Sequence, residues 1–295
     1  MKVTVSEPLS FASDRNVGQV RPGTRRESTQ NGLLTTVVVQ HRGRMPPNSL
    51  LSPEPSAVVL AGDWDANTGR ACEVLRLASS RGIRVVLQLG DFGFATENGW
   101  GEAFLDAVSR RCVQEDVDLF FLDGNHEDFP ELLRLPIDRE TGLRQVARRV
   151  YHLPRTLRWV WHGATWMALG GAHSIDRRDR REGVSWWPDE HLTDADVARA
   201  VGAGPVDAII AHDAPDGVDI PGLWPADSVP ASEAAAAQRH RQQVGHVVEQ
   251  TQPAVLFHGH YHVRYTAVRG HTKVVGLADD SAPLRDHCSI LDLTR

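Results

Sequence analysis

The chain has 295 residues, of which 41% are hydrophobic and 24% charged, so it can bury one large core or two small ones. A net charge of −6 and a pI near 6.1 exclude a general electrostatic attraction to nucleic acid or to an anionic membrane, and leave room only for a local basic patch. The three cysteines, Cys72, Cys112 and Cys288, are odd in number and far apart, which excludes a disulfide framework and a CxxC metal site.

Membrane insertion is also not expected from the sequence. The N-terminus has no apolar signal-like segment, and no run approaches the roughly 20 apolar residues of a membrane span. We therefore expect a soluble, cytoplasmic protein with one main domain and no membrane partner.

Residues 1–55 differ in composition from the rest of the chain. They are rich in Arg, Ser, Thr, Pro, Gly and Asn, and only residues 33–39 have the pattern of a strand. Prolines recur between residues 46 and 55, as in a linker. The sequence thus predicts a loosely ordered N-terminal arm and linker over residues 1–55, and a compact domain over residues 56–295.

From residue 56 onward one unit recurs: a short apolar run, then glycine and polar residues, then often a helical pattern. The apolar runs predict buried strands at residues 57–61, 85–89, 119–122, 208–211 and 254–257. Between the first three, apolar residues repeat at helical spacing from Ala71 to Ala78 and from Phe104 to Cys112. This alternation predicts an α/β fold with largely parallel strands, whose carboxyl ends carry the chemistry.

Side chains able to bind a metal follow all five runs: Asp63 and Asp65, then Asp91, then Asn125 with His126, then His212, then His260 with His262. Taken singly, Asp and Asn are common turn or cap residues, His212 could be a core histidine, and a short His cluster could be a surface loop. Turns do not require histidine, however. The combined set suits a pair of divalent cations bridged by a carboxylate.

The region 151–188 contains five tryptophans, which we predict to be mostly core, and a hairpin formed by residues 156–162 and 165–169. Residues 170–173 then lead into the arginine cluster Arg177, Arg178, Arg180 and Arg181. Two interpretations of this cluster stay open. It is either a solvated charged loop or a rim that grips an anionic substrate.

Three further elements are predicted toward the C-terminus. Thr193 and Asp196 match a capping box before a helix. Residues 231–250 are rich in Ala and Gln and predict a long surface helix. Residues 265–268, 273–277 and 289–293 alternate like antiparallel strands, which suggests that the sheets are completed near the C-terminus.

Taken in order, these motifs resemble the calcineurin-like metallophosphoesterase superfamily, in a bacterial or phage-type member. The family pattern of DxH, GD, GNH(D/E), a later His and GHxH is similar to residues 63–65, 90–91, 124–127, 212 and 259–262. The resemblance implies a four-layer αββα sandwich of two mixed β-sheets, with a two-metal site that hydrolyses phosphate esters.

The resemblance also implies roles for single residues. Asp91 would bridge both metal ions, Asp63 and His262 would hold the first ion, and the second would be held by Asn125, His212 and His260. His126 would act near the leaving group, with Glu127 or Asp123 orienting it. The implied cofactors are two divalent metal ions (Mn, Fe, Zn or Mg, with Mn favoured), and the implied partner is a phosphorylated substrate.

The sequence departs from the family pattern at two places. Asp65 and Ala66 stand where the family usually has His and Gly, which replaces a neutral imidazole by a carboxylate and predicts a first site that prefers Mn or Mg over Zn. The segment 90–94 also lacks the arginine that follows this motif in protein Ser/Thr phosphatases, which argues against that branch.

Two functions follow as hypotheses. The first is a metal-dependent phosphoesterase that acts on a phosphomonoester or a phosphodiester, with nucleic acid only as a candidate substrate. The alternative is a catalytically weak relative with a degenerate first metal site, which binds a phosphorylated ligand or acts as an interaction protein. The sequence indicates neither the substrate nor the oligomeric state.

Overall fold

The apolar runs of the sequence form the strands of two β-sheets. The computed structural model describes residues 2–5, 35–38, 53–94, 100–223 and 228–294. The strands are β1 (Lys2–Val5), β2 (Thr35–Val38), β3 (Ala57–Ala61), β4 (Val85–Gln88), β5 (Asp118–Phe121), β6 (Arg144–Ala147), β7 (Val150–His152), β8 (Arg158–Trp161), β9 (Ala164–Leu169), β10 (Ala208–Ala211), β11 (Val255–His258), β12 (Tyr265–Arg269), β13 (Thr272–Gly276) and β14 (Cys288–Asp292).

Six helices connect or flank these strands within the described residues. They are α1 (Thr68–Ser80), α2 (Trp100–Glu115), α3 (Phe129–Arg134), α4 (Asp194–Gly202), α5 (Ala231–Thr251) and α6 (Leu284–His287). Helix α4 begins at the predicted capping box, since the Thr193 side chain accepts from the Asp196 N–H and the Asp196 carboxylate accepts from the Thr193 N–H.

The strands form two mixed sheets with a parallel centre in each. The first sheet has the order β2-β1-β14-β3-β4-β5-β7-β6, and the second has the order β12-β13-β11-β10-β9-β8. Strands β3, β4, β5 and β7 are mutually parallel, as are β9, β10, β11 and β13. The five strands predicted from apolar runs all lie in these parallel centres, which places their carboxyl ends at one edge of each sheet.

Alternation along the strands divides the core into layers. Val58 and Leu60 of β3 point into the core between the sheets, whereas Val59 and Ala61 face α1 and α2. On the outer side of the second sheet, Met167 and Ile209 pack with residues of α4 and α5. Two sheets face to face, each covered by helices, make the αββα sandwich that the resemblance implied.

The predicted tryptophan hairpin is formed by β8 and β9, which pair antiparallel. Trp159, Trp161 and Trp166 are 0% exposed and fill the core between the sheets, as predicted. Trp187, in contrast, is half-buried in the loop that follows.

The C-terminal segments differ in part from the sequence expectation. Strands β12 and β13 are antiparallel to each other, but β13 is parallel to β11, and β14 crosses to the first sheet and lies between β1 and β3. Helix α5 buries more than a surface helix would, including His240 and Arg241, because the segment 213–218 packs over it.

Candidate active site

Loops from both sheets meet at the edge where the parallel strands end. Asp91 follows β4 in the first sheet, and His212 and His260 follow β10 and β11 in the second. One ligand atom from each of these three side chains lies within 4.8 Å of the other two. Asp91 is 2% exposed and His212 is 0% exposed, so this cluster forms the floor of the site.

Asp91 is held by backbone groups of the loop after β5. Its Oδ1 accepts hydrogen bonds from the N–H groups of Asn125 at 2.8 Å and His126 at 3.0 Å. A Cβ added at Gly124 would lie 2.0 Å from this oxygen, so the loop approaches Asp91 only because residue 124 is glycine. Burial alone would raise the pKa of Asp91, but His212 and His126 lower it well below its ordinary value.

His212 is oriented so that one ring nitrogen faces the other candidate ligands. We assign its Nδ1–H as the donor to the carbonyl oxygen of Leu89, 2.7 Å away. Its Nε2 then lies 3.0 Å from Oδ1 of Asn125 and 3.4 Å from Oδ2 of Asp91. Burial lowers the pKa of His212, but Asp91 overcomes this effect and raises it to about 10. The carboxylate of Asp91 therefore favours a positive charge at this position.

Asp63 lies beside the loop after β11 and is 0% exposed. Its two carboxylate oxygens lie 3.1 and 2.9 Å from the His260 N–H, which donates to them, and Nε2 of His262 lies 3.2 Å from its Oδ2. A Cβ at Gly259 would lie 2.0 Å from its Oδ1. The glycine of the GHxH motif thus allows the backbone to contact this carboxylate.

Asp65 lies at the exposed rim of this group. Although part of its surface is open to solvent, the surrounding protein limits its hydration. This desolvation, together with the carboxylates of Asp91 and Asp63, raises its pKa to about 8. Asp65 adds a third carboxylate on the Asp63 side of the site.

Four of the predicted ligands share an uncommon backbone conformation. Asp65, Asp91, His260 and His262 have φ values of 44°, 51°, 67° and 56°. Non-glycine residues seldom adopt positive φ, and such conformations persist where the surrounding structure holds them. Their concentration in one pocket supports a functional role for it.

The four arginine side chains of the predicted cluster have different contacts. Nη2 of Arg180 lies 2.6 Å from Nδ1 of His126, next to the ligand group. Arg178 donates to Oε1 of Glu233 at 3.3 Å, and the guanidinium of Arg177 lies 4.1 Å from the ring centroid of Trp186. Arg181 has an exposed side chain. The structure therefore brings Arg180 to the site and gives Arg177 and Arg178 partners elsewhere.

Two residues beside the site were missed by the sequence reasoning. Nδ2 of Asn125 donates to Oγ of Ser174 at 3.0 Å, and Oγ of Ser174 donates to Oε2 of Glu190 at 2.5 Å. Both Ser174 and Glu190 are buried. The available signal was the position of Ser174, five residues beyond the end of the buried strand β9, whose carboxyl end faces the same edge as those of β10 and β11.

The side chain of Glu127 has a different use from the one suggested by the sequence. Its carboxylate accepts from the N–H groups of Phe92 at 2.7 Å, Phe94 at 2.9 Å and Gly124 at 3.4 Å. Burial and Asp91 raise its pKa to about 7, against the effect of these hydrogen bonds. Glu127 thus fixes the loops on either side of Asp91, whereas Asp123 pairs with His152 and Arg155.

The ligand group opens into a cavity of about 730 Å³. Its lining includes polar site residues, among them His126 and His262, and apolar side chains such as Ile220, Leu223 and Val229. The cavity has room for a phosphate together with part of an attached group.

The donor set fits divalent cations. Aspartate oxygens, one carboxamide and imidazoles follow five strand ends, and these are ligand types that divalent cations accept. The contacts among these donors fall into two sets. His262 contacts Asp63, and His212 contacts Asp91 and Asn125.

Comparison with known proteins agrees with this geometry. The profile of the calcineurin-like phosphoesterase family matches residues 52–264. This chain belongs to that family. No curated protein matches the chain at a significant level.

Solved structures are similar in fold at low sequence identity. One shares 14% identity at a TM-score of 0.50, over 77% of this chain and 92% of its own. The protein TT1561 of Thermus thermophilus shares 12% identity at a TM-score of 0.48, over 77% of this chain and 91% of its own. A dimetal phosphatase from Danio rerio shares 12% identity at a TM-score of 0.47, over 80% and 92% of the two chains.

Family membership supports a hydrolase that acts on phosphoesters and uses divalent metal ions. Among the residues that the structure describes, no helix combines the length and the hydrophobicity needed to cross a membrane. All three cysteines are free thiols.

Proposed function

We propose that the chain is a cytoplasmic metal-dependent phosphoesterase that hydrolyses a phosphomonoester or a phosphodiester at a two-metal site. The observation that carries this proposal is the meeting of Asp91, His212 and His260 within 4.8 Å at the strand ends of two different sheets. A carboxylate and two imidazoles brought together from distant segments suit a divalent cation.

The ligand assignment follows the two sets of donors. Asp63, Asp65, Asp91 and His262 would hold the first ion, and Asp91, Asn125, His212 and His260 the second. When bound, the two cations would neutralise charge on the phosphoryl oxygens and lower the pKa of a nearby water. Because Asp65 contributes an oxygen in place of an imidazole, we propose that manganese or magnesium occupies the first site in preference to zinc.

His126 and Arg180 have positions suited to the substrate. The His126 side chain is 35% exposed and lines the cavity, so its imidazole can donate a proton or a hydrogen bond to the departing oxygen. The Arg180 guanidinium beside it can bind a phosphoryl oxygen. Because part of the cavity lining is apolar, we propose a substrate whose alcohol carries an apolar or aromatic group.

The test is hydrolysis of p-nitrophenyl phosphate and bis(p-nitrophenyl) phosphate with added manganese, together with the metal content of the same sample. We expect turnover of at least one ester and about two ions per chain. His212→Asn should abolish turnover, whereas His271→Asn, at an exposed turn between β12 and β13, should not. A folded, metal-loaded protein that hydrolyses neither ester would contradict the proposal.

The alternative function keeps one specific observation in its favour. Asp65 lies at the rim, where desolvation by the surrounding protein, together with Asp91 and Asp63, raises its pKa and disfavours its ionised form. A wild-type protein that binds one ion, hydrolyses neither ester and still binds inorganic phosphate would favour a phospho-ligand-binding protein with a degenerate first site.

A further inference from the structure

A second cluster of metal-binding side chains lies at the base of the arginine loop, defined here as residues 174–187. His173 precedes this loop, and Glu190 and His191 follow it. One ligand atom from each of these three lies within 4.8 Å of the others. None of them belongs to the candidate active site.

The three donor atoms form a triangle of the size that surrounds one small cation. Nδ1 of His173 lies 2.7 Å from Nε2 of His191 and 3.6 Å from Oε1 of Glu190, and the last two atoms are 3.2 Å apart. Zinc binds nitrogen and oxygen ligands at about 2.0–2.2 Å in a tetrahedron, which separates neighbouring ligand atoms by roughly 3.3 Å. The observed separations lie around this value.

The cluster also has the outer hydrogen bonds typical of metal-binding histidines and carboxylates. Nε2 of His173 lies 3.0 Å from Oε2 of Glu233, so this nitrogen donates and Nδ1 keeps its lone pair toward the cluster. Oε2 of Glu190 accepts from Oγ of Ser174 at 2.5 Å, while Oε1 faces the two imidazoles.

A fully buried carboxylate, which accepts from the N–H and the Oγ–H of Ser174, lies in the cluster. Glu190 is 0% exposed, and within the described part of the chain its ion-pair contacts are with His173 and His191. The nearby Glu233 already has Arg178 as a partner. A buried carboxylate beside two imidazoles requires either a bound cation or a shared proton.

From this geometry we propose that His173, Glu190 and His191 bind one zinc ion, separate from the candidate active site. Two imidazoles and a carboxylate suit zinc, whereas magnesium and calcium favour all-oxygen ligands. The fourth position is open to water. The ion joins the two ends of the arginine loop and so fixes the base from which Arg180 reaches His126.

The ion also contacts the active site indirectly. Glu190 is a ligand through one oxygen and holds Ser174 through the other, and Ser174 in turn accepts from Nδ2 of Asn125. The ion would therefore hold Glu190 and Ser174 in place beside Asn125, and its existence does not depend on the proposed enzymatic function.

The experiment measures zinc per chain after removal of metal with a chelator and dialysis against zinc. We compare the wild type, His191→Asn, Glu190→Gln and the control His271→Asn. We repeat the set in a background that carries His212→Asn, His260→Asn and His262→Asn, which removes every imidazole assigned to the two active-site ions. Circular dichroism confirms that each variant is folded.

His191→Asn and Glu190→Gln should each lose one zinc ion per chain in both backgrounds, and His271→Asn should lose none. Glu233→Gln, which weakens the hydrogen bond to His173 and the ion pair with Arg178, should keep the ion but weaken its affinity about 10- to 100-fold. With cobalt in place of zinc, the wild type should show a visible absorption band that His191→Asn lacks.

Full zinc content in folded His191→Asn and Glu190→Gln would overturn the proposal and leave a hydrogen-bonded cluster with a shared proton. The wild-type background keeps this comparison decisive if the combined variants do not fold. Failure of the ester hydrolysis test has no bearing on the zinc content measured here, so the two proposals are distinguishable.

Discussion

Nη2 of Arg180 lies 2.6 Å from Nδ1 and 3.0 Å from Nε2 of His126. The two residues are 54 positions apart in the sequence and lie in loops that follow strands of different sheets. His126 lines the cavity, and Arg180 contacts its ring. In the proposed function, the Arg180 guanidinium would bind the phosphoryl group next to the imidazole that we assign to the leaving group.

This contact predicts that Arg180 dominates the effect of the arginine cluster. Arg180→Ala should lower kcat/KM for phosphoesters about 10- to 100-fold, because a hydrogen bond to a charged group contributes about 1.5–3 kcal/mol. It should also weaken the dependence of KM on salt. Arg181→Ala, which removes an exposed arginine of the same loop, should change neither. Equal kinetics for the two variants would mean that the whole cluster is a solvated charged loop.

A second prediction concerns the second metal site. His260→Ala should lower the metal content by about one ion per chain and abolish turnover, since that ion helps to activate the nucleophile. His246→Ala, which removes an exposed histidine of α5, is the matched control. Full metal content in a folded His260→Ala variant would remove His260 from the ligand set.

The third prediction addresses Asp65. Asp65→His should shift the selectivity of the first site from manganese toward zinc, because an imidazole replaces one of three carboxylates. Asp65→Asn serves as a control that removes the charge without adding an imidazole. Metal titration of each variant separates the two functions. A wild type that binds one ion, with a second ion and activity gained by Asp65→His, would show that the first site is degenerate.

Gly124 gives a prediction about close packing at Asp91. In Gly124→Ala the new methyl group would meet Oδ1 of Asp91 at 2.0 Å, so the carboxylate or the loop must move. We expect loss of bound metal and of activity. Gly202→Ala places a methyl group at the end of α4 with nothing within 4 Å, and should leave both properties unchanged. Normal metal content in Gly124→Ala would mean that the loop shifts without disturbing the site.

The last prediction is a pH dependence of stability from His287. This buried imidazole donates from Nδ1 to the Ala278 carbonyl at 3.0 Å and accepts at Nε2 from Nε1–H of Trp64, also at 3.0 Å, so it must be neutral. Burial and Arg70 lower its pKa in the folded state. Below about pH 6.5 the unfolded chain binds a proton that the folded chain does not, so stability falls as the pH falls.

The expected slope is about 1.4 kcal/mol per pH unit from this one group, between the unfolded and the folded pKa. Denaturant unfolding at a series of pH values measures it. His287→Gln should reduce the slope, while the exposed His271→Gln should not. An unchanged slope in His287→Gln would mean that the proton uptake belongs to other groups.

The sequence by itself was enough to predict the parallel strands and the order of the candidate ligands. Apolar runs of strand length encode burial on both faces, and parallel strands bring their carboxyl ends to one edge. Asp63, Asp91 and Asn125 could therefore be assigned to neighbouring strand ends from the pattern of residues alone. The capping box of α4 was equally readable, because its residues interact within one helical turn.

Only the tertiary structure decided which distant residues touch. The contact of His212 with Asp91 depends on how two sheets pack face to face, and the partners of Arg177, Arg178 and Arg180 depend on how one loop folds back. The cluster of His173, Glu190 and His191 forms because that loop closes on itself. Periodicity in a sequence reports local geometry and burial, whereas such contacts arise from the packing of the whole chain.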